Sequence, residues 1–143
     1  MSARRLSPVA ATYAAAPLPD GGWRITIPGV PPSQNQLDRE HWTTRRARVL
    51  DITSSLLLLR KSYRLAPPVF ERAEANVRLC YEVRRRRDVA NGLGGTKQHV
   101  DALTQAGWLL DDDTEHLRWG AVDIAVDLPG RVEFTLRPWG GAG

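Results

Sequence analysis

Four arginines, Arg84, Arg85, Arg86 and Arg87, stand directly before a carboxylate, Asp88, and the run continues through Ala90, Asn91 and a glycine-rich bend to a single lysine, Lys97. Adjacent guanidinium groups repel one another, so a block of this kind calls for an anion nearby. Asp101 follows four residues after Lys97, one helical turn on, and a run of three acids, Asp111, Asp112 and Asp113, comes later. Clustered carboxylates are the usual protein device for Mg²⁺, a hard ion that takes a few acidic oxygens. Such a site can activate a water and clamp an in-line displacement at a phosphodiester. Taken singly, each piece has an ordinary explanation. The acidic run is a solvated turn, Lys97 with Asp101 is an exposed i,i+4 pair worth roughly 0.3–0.5 kcal/mol, and the arginines form either a solvated face or a phosphate-contacting one. Their combination points to a metal-and-phosphate site. Zinc and thiol chemistry find no support: His41, His99 and His116 have no metal-binding spacing, and Cys80 has no CxxC partner. Gly92, Gly94 and Gly95 lack the spacing of a phosphate loop and read as a flexible bend.

The elements that must position these groups belong to one domain, since 143 residues can bury one real core and not two. The chain is 42% hydrophobic, and no apolar run reaches the roughly 18 residues of a membrane span. Twenty Lys and Arg against sixteen Asp and Glu leave a formal charge of +4, which suits a polyanionic partner. A second basic cluster, Arg45, Arg46 and Arg48, adds to the first. The lone Cys80 cannot form an internal disulfide, fits a reducing compartment such as the cytoplasm, and reads as a small core residue. Residues 1–22 are rich in Ala and Pro without a sustained period and are expected to form a flexible arm, residues 23–138 the domain, and residues 139–143 a flexible tail.

Alternation of Trp23, Ile25 and Ile27 with polar residues predicts a strand, closed by Pro28 and Gly29. Spacing of Val49, Ile52, Leu56, Leu59 and Tyr63 by threes and fours predicts a helix from about Trp42 to Tyr63 with Arg45, Arg46 and Arg48 on its exposed side. Val77, Leu79, Tyr81 and Val83 alternate in a second strand that runs into the arginine block. Thr96 is placed to cap a helix that Gly107 ends, and the C-terminal segment reads as two strands joined at a Pro129-Gly130 turn. The order strand, helix, strand, helix, strand, strand predicts an α+β fold, a small mixed sheet carrying two helices. On it, Asp88 at a strand end, Lys97 and Asp101 on one helix face, and the acids after that helix can converge.

These residues resemble the RusA-type Holliday-junction resolvases, small nucleases of phages and prophages. The likeness covers most of residues 23–137, through "ITIPGVPPSQN", "RRRRD", "DALTQAG" and "LLDDD". It implies a Mg²⁺-dependent, homodimeric endodeoxyribonuclease that nicks branched DNA in recombination and repair. By position, Asp88 matches the first metal-binding carboxylate, Asn91 the asparagine after it, Lys97 the essential lysine, Asp101 the helix aspartate and Asp112 the acid after the helix, with Asp111 the first of that pair. Catalysis is thus expected from Asp88, Lys97 and Asp112, metal binding from Asp88, Asp112, Asp111 and Asp101, and DNA contact from Arg84, Arg85, Arg86, Arg87, Arg45, Arg46, Arg48, Asn35 and Asn91. Ala90 stands where the family has its second aspartate, and three extra residues precede Lys97. The alternative reading is therefore a junction-binding protein made catalytically silent by Ala90. A basic RNA-binding adaptor is a further rival, for which three Tyr and two Phe supply few stacking platforms.

Overall fold

The computed structural model describes residues 12–140. Their elements are, in chain order, β1 (Ala14–Pro17), β2 (Trp23–Pro28), α1 (Gln34–Arg39), α2 (Trp42–Ser62), β3 (Ala73–Tyr81), α3 (Val89–Gly94), α4 (Lys97–Gln105), β4 (Leu117–Val126) and β5 (Arg131–Pro138). The fold is α+β, with one mixed sheet in the order β1-β2-β5-β3-β4. β3 and β4 run parallel and the other neighbours antiparallel. Period-two alternation brings Ile25, Phe134, Val77 and Val122 into one row across four strands, and Ile27, Val132, Leu79 and Ile124 into the next. These rows face α2 and α4, whose Ile52, Leu56, Val100 and Leu103 complete the core. Each large apolar side chain buried here stabilises the fold by roughly 1.5–3 kcal/mol. The opposite face of the sheet is a charged lattice, in which Arg78 lies within 4.0 Å of Asp123, Asp127 and Glu133.

Parallel neighbours cannot be joined by a tight turn, so β3 and β4 require a crossover. Residues 82–116 form it, and they carry the arginine block, Asp88, Lys97, Asp101 and the acidic run. The topology therefore gathers the predicted site residues other than Asn35, Arg45, Arg46 and Arg48 into one connection.

Several expectations are corrected. The C-terminal strands are not a hairpin: β3 lies between β4 and β5 and pairs with both. Among the described residues four helices replace the expected two, because six-residue α1 and α3 accompany the longer α2 and α4. β3 stops at Tyr81, Val83 is exposed, and the arginines occupy an irregular segment rather than a strand end. The expected flexible arm contains β1, which pairs with β2 from Ala14 opposite Thr26 to Pro17 opposite Trp23. The Tyr63 hydroxyl donates to the Ala15 carbonyl at 2.7 Å, and Gly21, at φ +85°, makes the turn into β2. Residues 1–11 of that arm lie outside the described residues, as do residues 141–143 of the expected tail. Trp139 is tied down, its N–H donating to Arg72 O at 3.1 Å.

Two outcomes follow. A chain beginning at Gly21 loses the β1 ladder and should unfold at lower denaturant than the full chain, while Tyr63→Phe alone should cost about 1 kcal/mol in urea titration. An unchanged midpoint in both would mean that β1 contributes nothing. His99 is 4% exposed, and burial, with Arg48 nearby, pulls its pKa down to about 4. A depressed imidazole contributes stability above its unfolded pKa and loses it as pH falls toward the folded one. Stability should therefore drop by roughly 3 kcal/mol from pH 6.5 to pH 4 on this account, and His99→Phe should flatten that interval.

Candidate functional site

The site is organised around α4, whose two ends are tied to α2 by buried or half-buried arginines. Near the start of α2, Arg48 donates to both carboxylate oxygens of Glu40 and, through Nη1 at 2.9 Å, to Gln98 Oε1. Near its end, Arg60, 8% exposed, donates from Nε to Ala106 O at 2.8 Å and from Nη1 to Leu65 O at 2.6 Å. Trp108, fully buried, donates its indole N–H to Leu56 O at 2.9 Å. Thr96 precedes α4 as expected, but its hydroxyl donates back to Leu93 O at 2.6 Å instead of capping α4. Gly107 ends the helix at φ +85°.

The approach to α4 is fixed by close packing. A Cβ on Gly95 would lie 1.7 Å from Pro32 O, and one on Gly94 2.6 Å from Gln34 Oε1. The expected flexible bend is thus helix α3 and its exit, pressed against the Pro-Pro-Ser loop. Asp88 is the N-cap of α3, its Oδ1 accepting from Ala90 N at 2.9 Å. Asn35 and Asn91, both expected at DNA, bond to each other, Asn35 N donating to Asn91 Oδ1 at 3.1 Å. Arg87 stacks over the Tyr81 ring at 3.7 Å and donates to Arg85 O at 3.2 Å. Arg85 and Arg86 are exposed, and with Arg87, Asp88, Asn91 and Tyr81 they line a groove of about 630 Å³. Arg84 is exposed beside it.

Lys97, exposed at the first position of α4, lies between two further cavities. One, of about 380 Å³, is lined by Ala90, Leu93, Lys97, Val100, Asp112 and Trp119. The other, of about 350 Å³, is lined by Trp42, Arg45, Arg46, Lys97, Gln98 and Asp101, among others. Burial raises the Asp101 carboxyl above the ordinary carboxylate range, the negative charge of Asp112 raises it further, and Lys97 opposes both. Lys97, Asp101 and Asp112 therefore form one interacting group.

The acidic run is sorted by its turn. Asp111 Oδ1 accepts from Asp112 N at 2.7 Å. Asp113 Oδ1 accepts from the backbone N–H groups of Glu115 and His116 and lies 2.6 Å from His116 Nδ1, which holds its carboxyl below the ordinary range. Asp111, Asp113 and His116 bring ligand atoms within 4.8 Å of one another. Asp112 is the member that faces Lys97 and Ala90. Of the expected metal set, then, Asp101 and Asp112 come together electrostatically, Asp111 turns toward Asp113 and His116, and Asp88 opens on the arginine groove across α3.

Arg48, expected at DNA, is engaged as a clamp between Glu40 and Gln98, whereas Arg45 and Arg46 lie at a cavity wall. Trp42 and Gln98 were not anticipated at the site. A tryptophan at a helix start, three residues before paired arginines, was the available signal for the first. No family model matches the chain, and no curated protein matches it.

Arg48→Ala deletes the guanidinium and leaves Glu40 and Gln98 without their donor, and should cost about 1–3 kcal/mol of stability, read by thermal or urea unfolding. Arg48 holds the Glu40 carboxyl below its ordinary range, so this contribution is present above the unfolded glutamate pKa and fades as pH falls through the depressed value. A deficit that stays constant into acid would assign it to lost packing.

Proposed function

We propose that the chain is a Mg²⁺-dependent, structure-selective endodeoxyribonuclease that acts as a homodimer on branched DNA such as a four-way junction. The observation that carries this reading is the interaction of Asp101 and Asp112 across Lys97, on a crossover that also exposes Arg85 and Arg86. A half-buried carboxylate whose proton affinity burial and a second acid raise, with one ammonium to oppose them, is a poor structural arrangement, and a divalent cation relieves the repulsion. The donor set fits a hard ion, since both groups present oxygen, with Asp88 the remaining candidate on the far side of α3. Asp112 and Asp101 would hold the cation, which when bound polarises the phosphodiester and favours ionisation of water.

The chain's own residues supply the rest. Lys97, on its flexible stem between the two cavities, offsets charge developing on the phosphate oxygens. Arg84, Arg85 and Arg86, exposed and without a salt bridge among the described residues, hold backbone phosphates and read no bases. No helix among the described residues is long and apolar enough to cross a membrane. The catalytically silent junction binder is supported by a specific feature: Ala90 faces the Asp112 cavity with a methyl, and one oxygen of Asp88 is already taken by Ala90 N–H.

Incubating a labelled four-way junction with the protein and Mg²⁺ separates the two readings. Paired symmetric nicks are expected, and Asp112→Asn or Lys97→Ala should reduce them by about two to three orders of magnitude with junction affinity kept. Affinity lost in step with nicking would instead indicate misfolding. Ala90→Asp adds a carboxylate to the Asp112 cavity and should lower the Mg²⁺ concentration for half-maximal nicking. Nicking that arises only in Ala90→Asp makes the natural chain the silent binder. Replacing Arg85 and Arg86 by Gln should flatten the dependence of log K on log salt by about 0.9 for each duplex phosphate no longer neutralised, and an unchanged slope returns both residues to a solvated face.

A further inference from the structure

The cavity on the α2 side of Lys97 has features that phosphodiester hydrolysis does not use. Trp42 keeps 60% of its surface exposed at the first position of α2. His41 caps the helix, its Nδ1 accepting from Thr43 N at 3.2 Å, and the imidazole lies against the indole with ring centroids 5.8 Å apart. An indole left open at the mouth of a cavity can serve as a stacking platform.

Gln98 lines the same cavity although it is only 5% exposed. Its Oε1 accepts from Arg48, which can only donate, so the orientation of the amide is determined and the NH₂ end faces away from the guanidinium. That Nε2 has no hydrogen-bond partner among the described residues. A buried amide donor left unsatisfied is costly, and native structures contain few of them. Because that nitrogen is itself buried, a ligand acceptor satisfies it once the Gln98 side chain turns toward the cavity.

The charge of the wall narrows the ligand further. Arg45, Arg46 and Lys97 contribute three cations against the single acid Asp101. The volume of about 350 Å³ falls at the small end of the roughly 300–1,000 Å³ of small-ligand sites. An aromatic plane, a buried donor and a cationic rim are together the complement of a nucleotide.

We propose that this cavity takes one unpaired nucleotide of a DNA strand, with its base stacked on Trp42, a base carbonyl or ring nitrogen accepting from Gln98 Nε2, and its phosphate against Arg45 and Arg46. This deepens the junction-nuclease reading and rests on its nucleic-acid partner. A base within a duplex is stacked on both faces and cannot reach an indole, whereas an unpaired base presents a free π-face. The cavity therefore selects strands that are open, as at a branch point, and holds one of them beside Lys97 and Asp101.

The test compares a short oligo-deoxythymidylate, a blunt duplex and inorganic phosphate on the full chain. The oligonucleotide should quench part of the tryptophan fluorescence, and that part should vanish in Trp42→Ala. Single-strand affinity should fall by about 5- to 150-fold in Trp42→Ala, the range of one base stacked on an aromatic side chain, and Trp42→Phe should retain most of it. Duplex affinity and the melting temperature should stay unchanged, since Trp42 is exposed. Equal losses on duplex and single strand, a quench that survives in Trp42→Ala, or displacement of the oligonucleotide by inorganic phosphate at equal concentration would each reduce the cavity to an anion patch and overturn the proposal. The two readings fail separately. Single-strand binding that depends on Trp42 without junction nicking leaves the subsite standing and removes the nuclease, and nicking indifferent to Trp42 does the reverse.

Discussion

Two arginines on one stripe of α2 set the geometry on which everything else depends. Arg48, Ile52, Leu56 and Arg60 recur at intervals of four, so the face that buries Ile52 and Leu56 carries a guanidinium at each end. The first holds Gln98 at the start of α4 and the second holds Ala106 O at its close, which aligns the two helices in the same direction. Burying a guanidinium is favourable only when its donors are satisfied, and here Arg60 reaches two carbonyl oxygens while Arg48 reaches a carboxylate and an amide. The fixed helix carries Lys97 and Asp101 with it, one turn apart, between α2 and the acidic turn.

The second constraint is the approach of backbone to backbone at Gly95. With no room for a Cβ against Pro32 O, α3 must dock on the loop before α1, and the exit of α3 is where α4 begins. The glycines after Asn91 are therefore contact residues, which explains why they resemble a phosphate loop in composition and not in spacing. The same docking leaves Asp88 as a helix cap, facing the arginine groove instead of the cavity that Ala90 shares with Asp112. Residues 88 and 90 fall on different sides because the backbone there is a cap and a first turn, not the strand end expected for Asp88.

What could be read from the sequence follows from the range of the forces involved. Alternation along β2, β3 and β5 was legible because a strand with one buried face records its environment residue by residue, and Ile25, Ile27, Val132, Phe134 and Leu136 are all fully buried. The long apolar stripe of α2 was legible for the same reason. Strand partnership was not: the turn between β4 and β5 looks like a hairpin locally, and only the crossover requirement of β3 and β4 separates them. β1 escaped notice because Ala14–Pro17 has little apolar pattern of its own and is held by edge pairing and by Tyr63, forty-eight residues away. At the site, residue types were legible and roles were not. Arg48 shares its sequence neighbourhood with Arg45 and Arg46 but sits four residues from Ile52, and its spacing rather than its neighbours decided its place. The three aspartates are equivalent until a turn commits Asp111 and Asp113 to backbone donors.

The arrangement around Lys97 bears on the missing carboxylate at residue 90. Asp101 and Asp112 with Lys97 sum to one negative charge when ionised, whereas an acid at residue 90 would make two. Attraction for a divalent cation falls with that charge, and so does repulsion of an incoming phosphate, because both are Coulombic. Under the nuclease reading, an alanine there would shift the balance of the site from holding the metal tightly toward admitting the polyanion. On that reading the cations of the α2 wall would push the same way, since Arg45 and Arg46 line the cavity on the other side of Lys97. Under the nuclease reading, metal and DNA then bind with reciprocal coupling: phosphate brought in by the arginines supplies negative oxygens that the protein lacks at residue 90, and the cation is held best when the strand is already in place.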